Sequence, residues 1–190
     1  MSARTWTGFC AMCLGMFMGV LDIQIVVTSL PEIQRALDIE PDRMSWVQTS
    51  YLIAEIVAIP LTGLLTRALS MRRLFCAAIA LFTLASIGCA ASSGFALLIA
   101  FRVAQGFAGG MLIPLVFSAV FLLFEARAQS FATTVAGMLA VLAPTVGPLA
   151  GGWITQNHSW QWLFLVNVAP GVASLVAAFF ALPQIGRAHV

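Results

Sequence analysis

The feature that most limits what this chain can fold into is a set of long stretches with almost no charge. Between Ser130 and Thr155 there is no charged side chain at all. A helix needs about 20 apolar residues to cross the roughly 30 Å hydrocarbon core of a bilayer. A soluble domain needs a polar coat, yet only 8% of these residues are charged, against about 25% in typical soluble proteins. The composition therefore excludes a soluble domain and predicts a polytopic membrane protein.

Scanning for stretches of membrane-spanning length predicts six helices and no soluble domain. They cover residues of about 6–30, 45–66, 74–92, 95–123, 130–154 and 162–183. The polar residues are concentrated in the segments between these stretches. We therefore expect an all-α integral membrane protein in which residues 1–184 form one six-helix transmembrane bundle.

The arginines between the predicted spans indicate how the bundle lies in the membrane. If the six spans alternate in direction, one side carries Arg4, Arg67, Arg72, Arg73 and Arg127, and the other carries Arg35 and Arg43. Because arginine-rich loops remain in the cytoplasm, the N-terminus is expected to be cytoplasmic.

Three ionisable residues, Asp22, Glu55 and Arg102, fall inside the predicted spans. A charge facing lipid costs about 2.5–3.5 kcal/mol at the centre of a helix, so each should face the bundle interior or a water-filled cavity. Two acids share one base, so one acid lacks a permanent counter-charge, and such a carboxyl can bind and release a proton. The alternative is structural, with an acid that neutralises Arg102 and holds the bundle together.

Small and polar residues recur at helical spacing beside these charges. Gly15 and Gly19 share a helix face with Asp22, and Gly106 shares one with Arg102. The second span carries a polar stripe, which consists of Gln48, Tyr51, Glu55 and Thr62. Glycines four residues apart allow helices to approach closely, and such pairs are Gly15/Gly19, Gly106/Gly110 and Gly147/Gly151. The charges are therefore expected to point toward tightly packed helices.

Residue types that carry catalysis or metal binding are sparse. The four cysteines lie in apolar stretches and are interpreted as ordinary buried residues: Cys10, Cys13, Cys76 and Cys89. His158 lies in an outer loop and His189 near the end of the chain. We therefore expect no enzyme site, no metal or cofactor, and no nucleic-acid partner.

Several motifs resemble those of the major facilitator superfamily. FRVAQGFAGGMLIPL is similar to its fourth-span motif, and LAPTVGPLAGGWI to its fifth-span antiporter motif. The matching residues are Arg102, Gln105, Gly106 and Gly110 in the fourth span and Gly147, Pro148, Gly151 and Gly152 in the fifth. VLDIQIVVTSLPEI, which contains Asp22, resembles the first span of the fourteen-span EmrB/QacA type of drug/proton antiporter. The resemblance extends over nearly the whole chain.

The loop between the second and third predicted spans departs from the pattern of that family. It keeps Gly63, Arg72 and Arg73, but Arg67 stands where the family has aspartate and Ser70 where it has glycine. In the family this aspartate belongs to a cytoplasmic charge network. Its replacement puts that network in doubt for this chain.

The resemblance implies a secondary transporter of the bacterial inner membrane that exports drugs or other amphiphilic small molecules in exchange for protons. It also implies lipid as the surroundings and, by analogy with relatives, a periplasmic adaptor and an outer-membrane channel as partners. A transporter of the same fold for a specific metabolite or toxin is the alternative. A self-contained six-span channel or other membrane protein is a third interpretation.

Six spans correspond to half of the superfamily fold, in which two halves enclose the substrate site. The chain is therefore expected to be an N-terminal half that is inactive without a C-terminal half, and the tail at residues 185–190 is suspected to be non-native. The stretch APTVGPLAGG is expected to remain helical, because a backbone in lipid must satisfy its own hydrogen bonds. Its side-chain-poor face is expected to dock on a helix of the missing half.

Overall fold

The computed structural model describes residues 2–183, and all regular secondary structure in that range is helical. The helices are α1 (Ala3–Thr28), α2 (Leu30–Ala36), α3 (Trp46–Leu69), α4 (Met71–Ala90), α5 (Phe95–Leu123), α6 (Ala126–Asn157), α7 (Trp162–Leu165) and α8 (Val168–Ala181). Six segments are long and apolar enough to cross a membrane: α1, α3, α4, α5, α6 and the α7–α8 pair. The predicted all-α membrane architecture is confirmed. The suspected tail at residues 185–190 lies outside the described residues.

Helices α1 and α5 form the centre of the bundle. Helix α5 packs against α1, α3 and α4, while α1 also packs against α6 and α8. In both central helices 56% of the most apolar window is buried, compared with 17% in α3 and 22% in α6. Helices α3 and α6 therefore form two edges of the bundle that expose apolar side chains.

The crossing of α3 and α5 depends on two glycines. A Cβ atom added at Gly106 would overlap the carbonyl oxygen of Tyr51, and one at Gly110 would lie 2.6 Å from the carbonyl oxygen of Glu55. Only glycine permits this approach, because the opposing atoms belong to the backbone and cannot rotate away. The close packing predicted from the Gly106/Gly110 spacing is therefore confirmed.

Helix α6 is continuous through Pro144 and Pro148, so the helical prediction for APTVGPLAGG is confirmed. The expected docking partner was wrong for two positions. Gly147 packs against Gln24, and Gly151 packs against the Ile25 backbone, both in α1 of the same chain. These two glycines are therefore used for packing within this bundle, whereas Pro148 on the same helix is exposed and Gly152 has no neighbour within 4 Å of an added Cβ atom.

Ser70 separates α3 from α4 and has φ 70° and ψ 149°. This backbone region is essentially restricted to glycine, and a residue with a Cβ held there costs of the order of 1–3 kcal/mol. Ser70 occupies the position at which the resembling family has glycine. The departure from the loop motif therefore leaves the serine in a strained conformation.

Helices α1 and α8 are tied together where α1 begins and α8 ends. Arg4 Nε and Nη2 donate hydrogen bonds to the Phe180 carbonyl oxygen at 3.1 and 2.8 Å. The Arg72 guanidinium lies 4.8 Å from the centre of the Phe179 ring. Both arginines thus contact the C-terminal turn of α8, where a positive charge is favoured.

Candidate functional site

The Asp22 carboxylate is fully buried and is held by three donors from two other elements. Arg102 Nη1 donates to Asp22 Oδ2 at 2.6 Å. Gln105 Nε2 and Asn167 Nδ2 both donate to Asp22 Oδ1, at 3.0 and 2.7 Å. Asp22 is thus ion-paired and hydrogen-bonded through both carboxylate oxygens in the centre of the bundle.

The Arg102 guanidinium is also fully buried, and neutral groups surround its remaining donors. Its Nε donates to the Val47 carbonyl oxygen at 3.1 Å, and Nη1 also donates to Gln105 Oε1 at 2.7 Å. Its Nη2 lies 3.3 Å from Gln48 Oε1. The Tyr51 ring centre lies 4.2 Å from the guanidinium carbon, close enough for a cation–π interaction.

Gln105 connects the ion pair to α4. Its Nε2 donates to Ser86 Oγ at 2.8 Å, and its Oε1 lies 3.7 Å from Cys89 Sγ. We call the following set the buried polar network: Asp22, Gln48, Ser86, Arg102, Gln105 and Asn167. Five of the six membrane-length segments contribute to it, and α6 does not.

Because Asp22 and Arg102 are buried, their hydrogen bonds decide whether the ion pair stabilises the fold. A buried ion pair recovers its desolvation cost only when further hydrogen bonds satisfy the remaining donors and acceptors. Here Asp22 and Arg102 are both satisfied by neighbours that are themselves buried. Among the described residues, Gln48 Nε2 is a buried donor without a partner.

Glu55 forms no bond to the buried polar network. Its side chain is half-buried and takes part in no ion pair or hydrogen bond among residues 2–183. Among its neighbours on α3 at spacings of three and four, Leu52 and Ile59 are exposed, whereas Tyr51 and Ala58 are buried, so Glu55 lies at the boundary between the two faces of the helix. The structure therefore distinguishes the two acids: Asp22 has the counter-charge, and Glu55 lies at the edge of α3 without one.

The structure brings Asp22, Arg102 and Gln105 together, and the other predicted site residues lie elsewhere. Gly147 and Gly151 contact α1, whereas an added Cβ would meet no atom within 4 Å at Gly63 or Gly152. Pro148 is exposed. The motif residues thus divide between the polar network and helix packing.

The predicted cytoplasmic-loop arginines differ in their surroundings. Arg72 contacts Phe179, while Arg73 is exposed. Cys13 and Cys89 are buried as expected, Cys76 is partly buried, and the expectation was wrong for Cys10, which is exposed. Cys10 lies on the outer face of α1, in a groove along α8.

Asn167 and Ser86 belong to the network but were missed in the sequence. Asn167 is a single amide between two apolar stretches, LFLV and VAPGV. An isolated polar residue inside a membrane-length apolar segment was the signal in the sequence that could have identified it. No spacing rule connects it to Asp22, because the contact joins residues 145 positions apart.

His158 is exposed, as expected for an outer-loop residue. Its ring centre lies 5.3 Å from that of Trp153 and 5.5 Å from that of Trp162. These three side chains line a cavity of about 510 Å³ between α6 and α7. The cavity lies apart from the buried polar network.

Comparison with known proteins gives consistent matches. The family model of the Major Facilitator Superfamily matches residues 12–189. The chain is 42% identical over 184 residues to the colistin resistance protein EmrB of Acinetobacter baumannii, covering 97% of this chain and 36% of that protein. It is 38% identical over 163 residues to the multidrug export protein EmrB of Escherichia coli, covering 86% of this chain and 32% of that protein.

A solved structure shares the fold. The proton:xylose symporter XylE superimposes with a TM-score of 0.84 at 14% identity, covering 96% of this chain and 46% of that one. At this identity the likeness shows the fold alone. The chain spans about a third of the length of the curated relatives named above.

Proposed function

Because the chain belongs to the Major Facilitator Superfamily, whose members are typically non-enzymatic carriers, we propose that it is part of a transporter that exports drugs or other amphiphilic small molecules in exchange for protons. The names of the relatives support this direction, since they refer to colistin resistance and multidrug export. The chain is then a multi-pass membrane protein whose substrate site requires a second half-bundle. Residues 1–184 act as the N-terminal half in this proposal.

The observation that carries the proposal is the different state of the two intramembrane acids. Asp22 is paired with Arg102, whereas Glu55 has no counter-charge among the described residues. Intramembrane acids of this kind are characteristic of proton relays. Glu55 can bind a proton without breaking an ion pair, so we assign it the first proton-binding step.

Asp22 has a different role in the proposed cycle. When a proton neutralises Asp22, Arg102 loses its counter-charge but keeps neutral acceptors on Val47, Gln48 and Gln105. Arg102 therefore remains hydrogen-bonded in both protonation states, although its electrostatic attraction to α1 is lost. Proton binding at Asp22 thereby weakens the connection between α1 and α5.

The experiment uses the full-length protein carrying this chain, reconstituted in liposomes with a panel of lipophilic cations. Asp22→Asn and Glu55→Gln are compared singly and together with the unmodified protein for substrate-driven proton movement. We expect the double variant to lose coupled transport. Full proton-coupled export by the double variant would overturn the proposal, and activity toward a single metabolite alone would favour the specific-substrate alternative.

The proposed orientation places the N-terminus in the cytoplasm of a bacterial cell. It is supported by the arginines near the start of α1 and around Ser70, which lie at the same end of the bundle as the C-terminus of α8. A cysteine-labelling test with a membrane-impermeant reagent can check it: a cysteine introduced at Asn157 should be labelled from outside in intact cells. A periplasmic adaptor and an outer-membrane channel are part of the proposal through family resemblance alone.

A further inference from the structure

Asn167 lies where the sixth membrane-length segment is interrupted, between α7 and α8. It is 1% exposed, and its Nδ2 lies 2.7 Å from Asp22 Oδ1. This is a shorter contact than the one from Gln105 to the same oxygen. A residue outside the charged pair is thus among the closest donors to the Asp22 carboxylate.

The Asn167 side chain is not used for its own helix. Asn167 is the residue that precedes the first turn of α8, a position at which asparagine commonly accepts a hydrogen bond from a backbone N–H of that turn. Here the side chain makes no such bond. Its amide is directed to α1 instead, so local helix capping does not explain the presence of asparagine.

We propose that Asn167 is a positioning residue for Asp22 that maintains contact with this carboxyl in both of its protonation states. This proposal rests on the proposed proton-coupled function. A side-chain amide contains both a donor and an acceptor. Its Nδ2 donates to the carboxylate as observed, and after rotation of the amide its Oδ1 accepts a hydrogen bond from a protonated carboxyl.

The other two side chains that donate to Asp22 do not offer both a donor and an unused acceptor. Arg102 contains only donors, and Gln105 already uses its amide oxygen for Arg102 and its nitrogen for Ser86. The remaining titratable side chains that interact with this region are Tyr51 and Glu55 on α3 and Cys89 on α4. Within the buried polar network, Asn167 is the residue whose amide oxygen accepts no hydrogen bond.

The test compares two substitutions in the full-length protein. Asn167→Ala removes the amide and leaves a space, while Asn167→Leu removes the amide and keeps a side chain with the same branching and the same number of heavy atoms. Ser174→Ala is the matched control, because Ser174 Oγ also joins α8 to α1, through the Ala11 carbonyl oxygen at 2.7 Å, without contacting Asp22. Each protein is checked for monodispersity and melting temperature before it is assayed.

Two measurements are made on each variant. The first is proton-coupled export in liposomes, which should fall about tenfold or more in both Asn167 variants, as expected for a lost hydrogen bond to a charged group. The Ser174→Ala control should remain within about threefold of the unmodified protein, since its bond joins neutral groups. The second is infrared difference spectroscopy of the Asp22 carboxyl band, identified as the band that Asp22→Asn removes.

The band should change frequency in Asn167→Leu and stay unchanged in Ser174→Ala. An unchanged Asp22 band in both Asn167 variants would overturn the inference, as would export equal to that of the Ser174→Ala control. If Asn167→Ala does not fold, Asn167→Leu provides both measurements. Full proton-coupled export by the double variant Asp22→Asn and Glu55→Gln overturns the proposed function instead, and the band shift in the Asn167 variants still decides whether Asn167 positions Asp22.

Discussion

Arg102 and Asp22 are 80 residues apart in the sequence, and Arg102 Nη1 lies 2.6 Å from Asp22 Oδ2 with neither side chain exposed to solvent. The pair joins α5 to α1 at the centre of the bundle. In the same structure the two other ion pairs among the described residues are exposed and join residues three positions apart. Among the described residues, this is therefore the one ion pair that joins distant parts of the chain.

Removal of one member of this pair should be strongly destabilising. Arg102→Ala leaves the Asp22 carboxylate buried without a counter-charge, and we expect a loss of about 3–5 kcal/mol in the free energy of unfolding. Arg43→Ala breaks the exposed pair with Glu40 and should cost less than about 1 kcal/mol. Denaturation of the purified full-length protein in detergent measures both. Similar losses in the two variants would contradict the prediction.

Two adjacent glycines of the antiporter-like motif should respond oppositely to the same substitution. In Gly151→Ala the new methyl group would lie 2.9 Å from the Ile25 carbonyl oxygen, so overpacking should destabilise the protein by about 1–3 kcal/mol. In Gly152→Ala the methyl group meets no atom within 4 Å, and the higher helix propensity of alanine should stabilise α6 by up to about 1 kcal/mol.

Melting temperatures of the two glycine variants provide the measurement. Equal destabilisation by both substitutions would contradict the prediction, because of the two glycines only Gly151 contacts α1. Gly137→Ala serves as a further control, because an added Cβ at Gly137 also has no neighbour within 4 Å.

Ser70→Gly should stabilise the protein. The serine is held at φ 70°, and glycine relieves a strain of the order of 1–3 kcal/mol, reduced by the greater flexibility that glycine gives the unfolded chain. The expected net gain is about 1 kcal/mol, seen as a higher melting temperature. Ser45→Gly is the control, because Ser45 precedes α3 at φ −62° and carries no such strain. A gain in Ser45→Gly equal to that in Ser70→Gly would exclude strain as its cause.

The two intramembrane acids should differ in chemical reactivity. A hydrophobic carbodiimide should modify Glu55, whose side chain is half-exposed and unpaired among residues 2–183, and should leave the fully buried Asp22 largely unmodified. Mass spectrometry of peptides from the labelled full-length protein locates the adduct. Glu55→Gln should abolish most of the labelling. An adduct found mainly on Asp22 would show that its ion pair opens readily.

Much of the architecture could be predicted from the sequence, because lipid imposes strict requirements on length and polarity. The apolar stretches indicate six membrane-length helices, and the cost of a charge in lipid places Asp22 and Arg102 in the interior. The spacing of Gly106 and Gly110 correctly indicates a close helix crossing. Each of these inferences uses one helix at a time.

The relations between helices could not be predicted in the same way. The sequence left open which acid pairs with Arg102, since that depends on the rotation of α1 and α3 about their axes. The Gly147 face was assigned to a helix outside the chain, although Gln24 of α1 covers it. Asn167 was missed because its partner is distant in the sequence and no periodic pattern marks it.

Three hydrogen-bonded connections occur in order along the antiparallel helices α1 and α8: Arg4 with Phe180, Ala11 with Ser174, and Asp22 with Asn167. The first two are separated by about 10 Å along α1 and the last two by about 16 Å, at a rise of 1.5 Å per residue. Sliding of one helix past the other by a single turn would break all three connections at once. The first and sixth membrane segments therefore behave as one rigid unit, and any rigid-body motion of the bundle must move both together.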